Sequence, residues 1–399
     1  MRVRTSHRLA ASVVLAALVV LAVPGAAGAA APWKETIDRI VGGRPFSVAV
    51  GDDGAYWYRH LAGVRRPPAS NQKLLLSMAL LDLRSGTRRI PTEVMVGQGG
   101  DAVVDGVLRG DLWLVGHGDP EVDHADLAEL ADLVVAAGIH RVRGDVVGWL
   151  GAFRRDWFAP GWRDYFPDVY IPRPTALTFH ENTSGGHHVA EPERWAARVF
   201  RTKLRARDVD VRGVAAARRS HPPLRSLGRV TSAPLLDIVR RMNVPSSNFR
   251  AEVLGKWLGL AGGGSIDAGA DRVCAWVAGQ GERFTCEDAS GLSYANRASA
   301  RGLTRLLWRA ETEPWGEDLR STLARGGQGT LRDRLTGVRI RAKTGTLIDV
   351  SALSGWIWVE AAEDWVPFSI MSSGFDDATA KTIEDRIVRV LAHDARPPG

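Results

Sequence analysis

The sequence predicts an α+β fold, in which helices flank an antiparallel sheet. The last third of the chain holds three apolar segments separated by short polar turns, a pattern typical of antiparallel strands. Longer runs with helical spacing of apolar residues precede and follow these strands. Because strands and helices do not alternate regularly along the chain, the pattern argues against a doubly wound parallel sheet.

The predicted elements divide the chain into three blocks. The first block contains a hairpin and an apolar helix, over 46–50, 56–60 and 74–83. The middle block, which ends near residue 224, combines short strands and glycine turns with one helix and a proline-punctuated stretch, over 101–120, 127–137 and 160–174. The last block contains three helices, then the three strands and a final helix, over 235–242, 248–260, 304–310, 338–342, 352–359, 365–371 and 377–392.

The chain has 399 residues, of which 45% are hydrophobic and 24% charged, and its formal charge is +7. This composition excludes collagen, coiled coils and disordered chains, and the length allows two or three domains. Six of the 52 basic residues are lysines, which leaves 46 arginines. Acidic residues alternate with these arginines, as at 332–334, whereas a nucleic-acid binder concentrates its basic residues in a run or stripe. We therefore expect no nucleic-acid partner.

The N-terminus is predicted to be a signal peptide over residues 1–31. Three arginines precede an apolar run over 9–23, and Pro24, Gly25 and a series of small residues follow it. The run is shorter than the about 20 residues that a spanning helix needs. An uncleaved anchor is the alternative. We expect an exported protein of the periplasm or the cell wall and extracellular space, without a stable membrane span after signal cleavage.

Cys274 and Cys286 are the two cysteines of the chain. Export would permit a disulfide between them, because oxidising compartments allow such bonds to persist. Two free thiols are the alternative. Two cysteines alone cannot form a zinc finger or an iron–sulfur site.

Ser70 and Lys73 are the first candidates for catalysis. Two prolines precede Ser70, so a helix is predicted to start there, and residues three apart on a helix share a face. A serine hydroxyl needs an adjacent base, and a lysine amine can act as one if burial or a second cation lowers its pKa. The N–H groups at a helix start can also stabilise an oxyanion. A solvent-exposed helix lysine is the alternative for Lys73.

Two further motifs add to this pair. Lys343-Thr344-Gly345-Thr346 lies on a predicted strand, where a cation and a hydroxyl can bind a carboxylate and the glycine lets a substrate backbone lie close. Ser246 and Asn248 lie between two predicted helices, where they can relay a proton and hold a substrate amide; a plain helix cap is the alternative. This order of three motifs is typical of penicillin-binding proteins and class A β-lactamases.

Beyond these motifs, the sequence resembles the class C low-molecular-mass penicillin-binding proteins, the D-alanyl-D-alanine carboxypeptidase/endopeptidase (DacB) family. The resemblance covers nearly the whole chain after residue 31 and includes strings outside the three motifs. The matching stretches are 68–75 (PASNQKLL), 105–120 (DGVLRGDLWLVGHGDP), 176–183 (ALTFHENT), 232–252 (SAPLLDIVRRMNVPSSNFRAE), 289–296 (ASGLSYAN), 329–331 (GTL) and 343–347 (KTGTL).

The resemblance implies a penicillin-binding-protein/β-lactamase-like transpeptidase fold that is split by a mostly β inserted region. We therefore expect the transpeptidase domain in two parts, over 32–90 and 225–399, with the inserted domain or domains over 91–224. The long stretch between Lys73 and Ser246 fits such an insertion, which a plain β-lactamase would not explain.

The resemblance also implies catalytic roles. Lys73 would take the proton of Ser70, which attacks the carbonyl of a D-Ala-D-Ala peptide bond, and the N–H groups of Ser70 and Thr346 would stabilise the oxyanion. Ser246 would pass a proton to the leaving amine. Whether Lys73 or a relay of Ser246 and Lys343 is the dominant base stays open at this point.

The same motifs would bind the substrate. Lys343 and Thr344 would hold the terminal carboxylate, Gly345 would allow close approach, and Asn248 would hold the substrate amide. The expected activity is that of a serine-type D-Ala-D-Ala carboxypeptidase, or of an endopeptidase if the leaving amine belongs to a cross-link. Its partners would be peptidoglycan peptides, with β-lactams as covalent inhibitors, and no metal or organic cofactor is required. A β-lactamase or esterase of the same fold, or a catalytically weak cell-wall-binding protein, is the alternative.

The chain departs from the family pattern at two positions. Ser247 stands where the family usually has Asp, and His117 replaces a glycine of a turn in the inserted region. Because Ser247 is neither the relay hydroxyl nor the amide, we expect activity to survive. Four lysines have no predicted role and are expected on the surface: Lys34, Lys203, Lys256 and Lys381.

Overall fold

The computed structural model describes residues 31–52, 55–99 and 103–398. The predicted signal peptide lies outside these ranges, except for its last residue. Within these ranges, every helix is too short or too polar to cross a membrane.

The strands and helices are numbered in chain order. The strands are β1 (Phe46–Asp52), β2 (Ala55–His60), β3 (Arg65–Arg66), β4 (Pro91–Gly97), β5 (Val103–Val104), β6 (Val107–Leu108), β7 (Leu112–Gly116), β8 (Arg141–Val142), β9 (Val146–Trp149), β10 (Thr183–Ser184), β11 (His187–His188), β12 (Asp210–Val211), β13 (Ala215–Arg218), β14 (Leu224–Thr231), β15 (Ala298–Ser299), β16 (Ile340–Leu347), β17 (Val350–Val359) and β18 (Asp364–Ser373). The helices are α1 (Pro32–Val41), α2 (Gln72–Arg84), α3 (His124–Ala136), α4 (Phe166–Val169), α5 (Pro192–Arg205), α6 (Leu235–Asn243), α7 (Asn248–Leu258), α8 (Ile266–Gly279), α9 (Ala300–Glu311), α10 (Gly316–Ser321) and α11 (Asp377–His393).

The main sheet is antiparallel and has the strand order β16-β17-β18-β1-β2. Apolar residues of α1 and α11 pack against one face of it, and those of α2 and α9 belong to the core on the other face. Strands β17 and β18 are buried along almost their whole length because both faces are covered. This arrangement confirms the predicted α+β fold with helices flanking an antiparallel sheet.

Helix α2 lies at the centre of the second core. Every residue over Gln72–Leu81 is buried, including Lys73 and Ser77. A helix that is apolar on nearly all sides is stable only where other elements surround it. The run of leucines that follows Lys73 therefore places the catalytic candidates in the interior.

The inserted region forms a second sheet with the order β13-β9-β7-β4-β14. Strands β7, β9 and β13 pair in parallel, and α3 and α5 supply the crossovers that parallel pairs need. The expected short strands and the helix near 127–137 are present, but α5 was missed. Strand β14 belongs to this sheet and ends at Thr231, so the sheet extends past the boundary expected at 224.

The structure tests two further expectations from the sequence in the last block. Cys274 of α8 and Cys286 form a disulfide, with their Cα atoms 5.7 Å apart. Lys256 was expected on the surface, and this was wrong, because its side chain is fully buried. Its amine donates hydrogen bonds to Asp156 Oδ1 at 2.7 Å and to the carbonyl of Arg154 at 2.9 Å. These partners come from a distant segment, so spacing along α7 could not have revealed them.

Candidate active site

Ser70 lies in a single helical turn, Ala69–Asn71, that leads directly into α2. Lys73 is in the first turn of α2, and its Nζ lies 3.0 Å from Ser70 Oγ. The helix predicted to start near Ser70 thus brings the hydroxyl and the amine into hydrogen-bond contact, as a nucleophile and its base require.

The amine of Lys73 has three hydrogen-bond partners. Besides Ser70 Oγ, they are Asn248 Oδ1 at 2.8 Å and the carbonyl oxygen of Ser290 at 2.6 Å. Both of these oxygens can only accept. A neutral amine has two N–H donors and one lone pair, so the two acceptors use its donors and leave the lone pair facing Ser70. The geometry therefore fits an unprotonated Lys73 that accepts the proton of Ser70.

Burial makes this neutral form accessible. Lys73 is fully buried, and desolvation lowers the pKa of its amine to about 7, although the negative charge of Asp288, and that of Glu252 when it is ionised, acts in the opposite direction. Burial, together with the charge of Lys73, also holds the pKa of Lys343 well below its ordinary value. Two buried amines cannot both carry a proton readily, so a protonated Lys73 favours the neutral form of Lys343.

Lys343 and Ser246 form a second hydroxyl–amine pair. Lys343 Nζ donates to Ser246 Oγ at 2.8 Å and to the carbonyl of Thr344 at 2.9 Å. Ser246 has a φ of 64°, in the left-handed region that non-glycine residues rarely adopt. Such strain persists where surrounding structure imposes it and is common at functional sites. In this conformation the hydroxyl of Ser246 lies within hydrogen-bond distance of Lys343 on β16.

The strand β16 that carries the Lys-Thr-Gly-Thr motif is an edge strand of the main sheet. Its pairing with β17 places Thr344 opposite Leu353. On its other edge the N–H of Ala342 donates to the carbonyl of Ala324 at 3.0 Å, and among the described residues no strand of the sheet pairs with that edge. A Cβ on Gly345 would lie only 2.7 Å from the carbonyl oxygen of Pro68, so only glycine lets β16 approach the turn that carries Ser70. An edge strand beside a nucleophile can bind an extended peptide by strand addition.

Asn248 is the first residue of α7, and both the oxygen and the nitrogen of its side-chain amide form hydrogen bonds. Oδ1 accepts from Lys73, and Nδ2 donates to the carbonyl of Tyr170 at 3.2 Å. Ser247 caps α7 and accepts the N–H of Arg250 at 3.2 Å. Ser247 thus fills the helix-cap role that an Asp in the same place would also fill.

A loop over 286–296 completes the site; of this loop, only 289–296 was matched in the sequence, as a family string. Asp288 accepts hydrogen bonds from the N–H groups of Gly291 and Ser293 and from the side chains of Trp162, Ser290 and Asn296, at 2.7–3.3 Å. Its role was missed because it has no charged partner at a recognisable spacing. The signal lay in the string itself, since polar residues at 290, 293 and 296 surround a buried carboxyl group.

Part of the inserted region forms one wall of the cleft beside Ser70. The cleft has a volume of about 440 Å³. Its lining combines the catalytic candidates with aromatic and aliphatic side chains: Ser70, Tyr165, Phe166, Tyr170, Ser246, Asn248, Leu292, Tyr294, Thr330, Thr344, Thr346, Leu347, Ile348 and Asp377. The stretch over 160–174, which the sequence marked only by its prolines, is thus placed beside the nucleophile.

The structure brings together the residues that the three motifs predicted. One cleft is lined by Ser70, Ser246, Asn248, Thr344 and Thr346. The amine of Lys73 is hydrogen-bonded to Ser70, and the amine of Lys343 is hydrogen-bonded to Ser246. Among the described residues, no three His, Cys, Asp or Glu side chains gather as a metal site would require.

The fold is that of a penicillin-binding protein. Penicillin-binding protein 4 (dacB) from Haemophilus influenzae is similar with a TM-score of 0.77 and 18% identity, over 90% of this chain and 99% of that chain. A predatory endopeptidase from Bdellovibrio bacteriovorus is similar with a TM-score of 0.54 and 16% identity, over 87% of this chain and 92% of that chain.

Within this class, the chain belongs to the D-Ala-D-Ala carboxypeptidase 3 (S13) family of hydrolases, whose sequence profile matches residues 43–186 and 180–394. The D-alanyl-D-alanine carboxypeptidase of Actinomadura sp. strain R39 is 27% identical over 86% of this chain and 80% of that protein. Carboxypeptidase DacB of Mycolicibacterium smegmatis is 28% identical over 85% of this chain and 78% of that protein. The family resemblance inferred from the sequence is confirmed.

Proposed function

We propose that the protein is a serine-type carboxypeptidase that removes the terminal D-Ala from peptidoglycan stem peptides through an acyl-enzyme on Ser70. The observation that carries the proposal is the set of partners around Lys73. Two acceptors use the N–H groups of its neutral amine, and the third neighbour is Ser70 Oγ at 3.0 Å. This arrangement favours Lys73, rather than a relay through Ser246, as the base for acylation.

In the first step, Lys73 takes the proton of Ser70 while Oγ attacks the carbonyl carbon of the penultimate D-Ala. The backbone N–H groups of Ser70 and Thr346 stabilise the oxyanion, because the start of α2 and the strand β16 face each other across the cleft. The C–N bond then breaks as Ser246, whose hydroxyl lies beside Lys343 Nζ, passes a proton to the leaving amine, and the proton that Lys73 took from Ser70 replaces it. In deacylation the neutral Lys73 takes a proton from the water that attacks the ester carbonyl, and this proton returns to Ser70 Oγ as the ester bond breaks.

Substrate recognition is assigned to β16 and α7. An extended peptide added to the edge of β16 beyond Ala342 places its terminal carboxylate near Lys343 and Thr344, whose amine and hydroxyl can both donate hydrogen bonds to it. The amide of Asn248 holds the substrate amide after exchanging its present partner, the carbonyl of Tyr170. Because Gly345 lets β16 lie close to the turn that carries Ser70, a peptide bound to β16 lies beside the nucleophile.

The same cleft suits an endopeptidase reaction, in which the leaving amine belongs to a cross-link. Tyr165 and Tyr170, which line the cleft on the side of the inserted wall, are exposed to solvent and can contact a second peptide strand. We assign residues 91 to about 231 to an inserted domain that supplies this wall between the two parts of a transpeptidase domain. We also assign the protein to the cell exterior.

Capture of β-lactams follows from the acyl-enzyme chemistry, and a structure of the Haemophilus protein is a β-lactam complex.

The test has two parts. Labelled penicillin is expected to acylate the purified protein, and Ser70→Ala is expected to abolish the label; labelling of the variant, or no labelling of the wild type, contradicts the proposal. Mass analysis of purified peptidoglycan then separates release of D-Ala from cleavage of cross-links. Rapid turnover of the penicilloyl-enzyme would favour a β-lactamase, and binding of muropeptides without products would favour a wall-binding protein.

A further inference from the structure

Glu252 is a buried carboxyl group that the mechanism above does not use. It lies on α7, one turn after Asn248, and is fully buried. Its Oε1 accepts the N–H groups of Ala289 at 3.0 Å and Ser290 at 2.7 Å. The carbonyl of Ser290 in turn accepts from Lys73 Nζ at 2.6 Å. Glu252 thus connects to the base through a single residue of the loop.

The two oxygens of Glu252 have different surroundings. Oε1 has two donors, whereas Oε2 is buried and has no hydrogen-bond partner among the described residues. Asp288 differs, since both of its oxygens accept hydrogen bonds, as an ionised carboxylate requires. An ionised Glu252 would leave half of a buried charge unsatisfied, which costs more free energy than burying the protonated acid.

The charge of Asp288 beside Glu252 also favours the protonated acid. Asp288 faces it from the loop and disfavours a second negative charge, Lys73 faces it from α2, and Lys256 lies one turn further along α7. Lys343 on β16 lies beyond Lys73. Burial, with the charge of Asp288, raises the pKa of Glu252 to about 8. An ionised Glu252 would also raise the pKa of Lys73 and so weaken it as a base at neutral pH.

We propose that Glu252 works as a neutral carboxylic acid and is a positioning residue for Lys73. Its Oε1 holds the amide groups of Ala289 and Ser290, which presents the Ser290 carbonyl to the amine, and its lack of charge leaves that amine free to lose a proton. Glu252 acts only through these neighbours and touches no reacting atom. The inference rests on the proposed acylation of Ser70.

The experiment uses Glu252→Gln and Glu252→Ala in the full-length protein, with Glu193→Gln as the control. Glutamine keeps an acceptor oxygen but cannot ionise. Glu193 is a buried glutamate of the inserted region with a raised pKa, paired with Arg155 at 2.6 Å. The rate constant of acylation and the Kd of the preceding penicillin complex are measured from pH 5.5 to 9.5, together with the Tm of each protein.

Glu252→Gln is expected to keep the wild-type midpoint of the acylation profile within about 0.3 pH unit, as is the control. A midpoint shifted to acid by about one unit would show that wild-type Glu252 is ionised, and would overturn the proposal. Glu252→Ala is expected to slow acylation about tenfold or more at unchanged Kd, because the carbonyl that orients Lys73 is released. Wild-type rates in Glu252→Ala would overturn the positioning role.

The Tm supplies a readout that does not depend on activity. The folded-state pKa of Glu252 is raised above the unfolded value, so its contribution to stability is fully present below about pH 4 and is lost as the pH rises through about 8. Glu252→Gln loses nothing over this range, so its Tm should gain on the wild type between pH 5 and 8. A constant difference would overturn the proposal, and this arm decides if Glu252→Ala does not fold. Failure of the wild type to acylate would instead refute the proposed function.

Discussion

Gly291 and Ala69 approach each other so closely that a Cβ on Gly291 would lie 1.9 Å from the carbonyl oxygen of Ala69. Gly291 has a φ of 85° and follows Ser290, whose carbonyl accepts from Lys73. The loop that orients the base is therefore packed directly against the turn that carries Ser70. This contact explains why a glycine is needed in the Ser-Gly-Leu-Ser string.

We expect Gly291→Ala to abolish acylation by penicillin and to lower the Tm, because the new methyl group must displace the turn before Ser70. Gly281→Ala is the matched control. Gly281 also has a positive φ, of 81°, but the nearest atom to its Cβ position is 4.0 Å away. Both variants pay the backbone strain of about 1 kcal/mol, so only the clash separates them. Equal acylation rates in the two variants would contradict this assignment.

The rate of acylation should depend on the protonation of Lys73. Because the pKa of Lys73 is lowered to about 7, the amine is protonated and inactive below this pH and becomes a base above it. We expect the rate constant to rise about tenfold per unit below pH 7 and to be half-maximal near pH 7. Stopped-flow measurement with a chromogenic β-lactam tests this. A midpoint above pH 9 would show that Lys73 keeps the pKa of an exposed lysine.

Asn248→Asp places a carboxylate where Oδ1 now lies, 2.8 Å from Lys73 Nζ. The negative charge stabilises the protonated amine and raises its pKa, so the midpoint of the acylation profile should move up by about one to two units. At pH 7 the rate should fall about tenfold or more. Asn248→Ala removes the acceptor without adding a charge and should not show the upward shift. An unchanged midpoint in Asn248→Asp would argue against Lys73 as the base.

Ser247→Asp introduces the residue that the family resemblance leads us to expect at this position. Since both residues cap helices well, and Ser247 contacts the N–H of Arg250 rather than the lining of the cleft, acylation should stay within about twofold of the wild type. Ser247→Ala removes the cap and should cost about 1 kcal/mol of stability. Urea unfolding and acylation kinetics measure both. A large gain of activity in Ser247→Asp would show that the serine limits catalysis.

The disulfide between Cys274 and Cys286 closes a short loop, with a sequence separation of 12. Removing it by substitution of both residues with Ser should cost about 3 kcal/mol through the entropy of the unfolded chain. Acylation of the folded variant should be unchanged, because neither cysteine lines the cleft. Denaturant unfolding and penicillin labelling check the two parts. A stability equal to that of the wild type would contradict the prediction.

The motif residues were predictable from the sequence, but the contacts of the buried carboxyl groups were not. Ser70 and Lys73 lie three residues apart on one helix, so local geometry was enough to predict their contact. Glu252 and Asp288 come from different segments and meet only in the folded core. Lys256 shows the same limit, because its partner Asp156 lies far away in sequence, and a lysine without a local partner is indistinguishable from a surface residue.

In the inserted region, too, the sequence predicted local elements but not the pairing of distant strands. Its glycine turns and its helix near 127–137 were predicted, since both depend on local patterns. Helix α5 was missed, and the parallel pairing of β7, β9 and β13 depends on crossovers that only the packed structure defines. The position of the 160–174 stretch beside Ser70 likewise results from contacts such as that of Trp162 with Asp288.

The sequence by itself therefore determined the family, the order of the motifs and the contact of Ser70 with Lys73 on one turn of helix. These features depend on short-range spacing and on residue type. The tertiary structure alone decided which groups are desolvated around the amine of Lys73, and hence that its pKa is lowered to about 7. The physical reason is that burial and hydrogen bonding from distant segments set the protonation state of a group, and no local pattern encodes them.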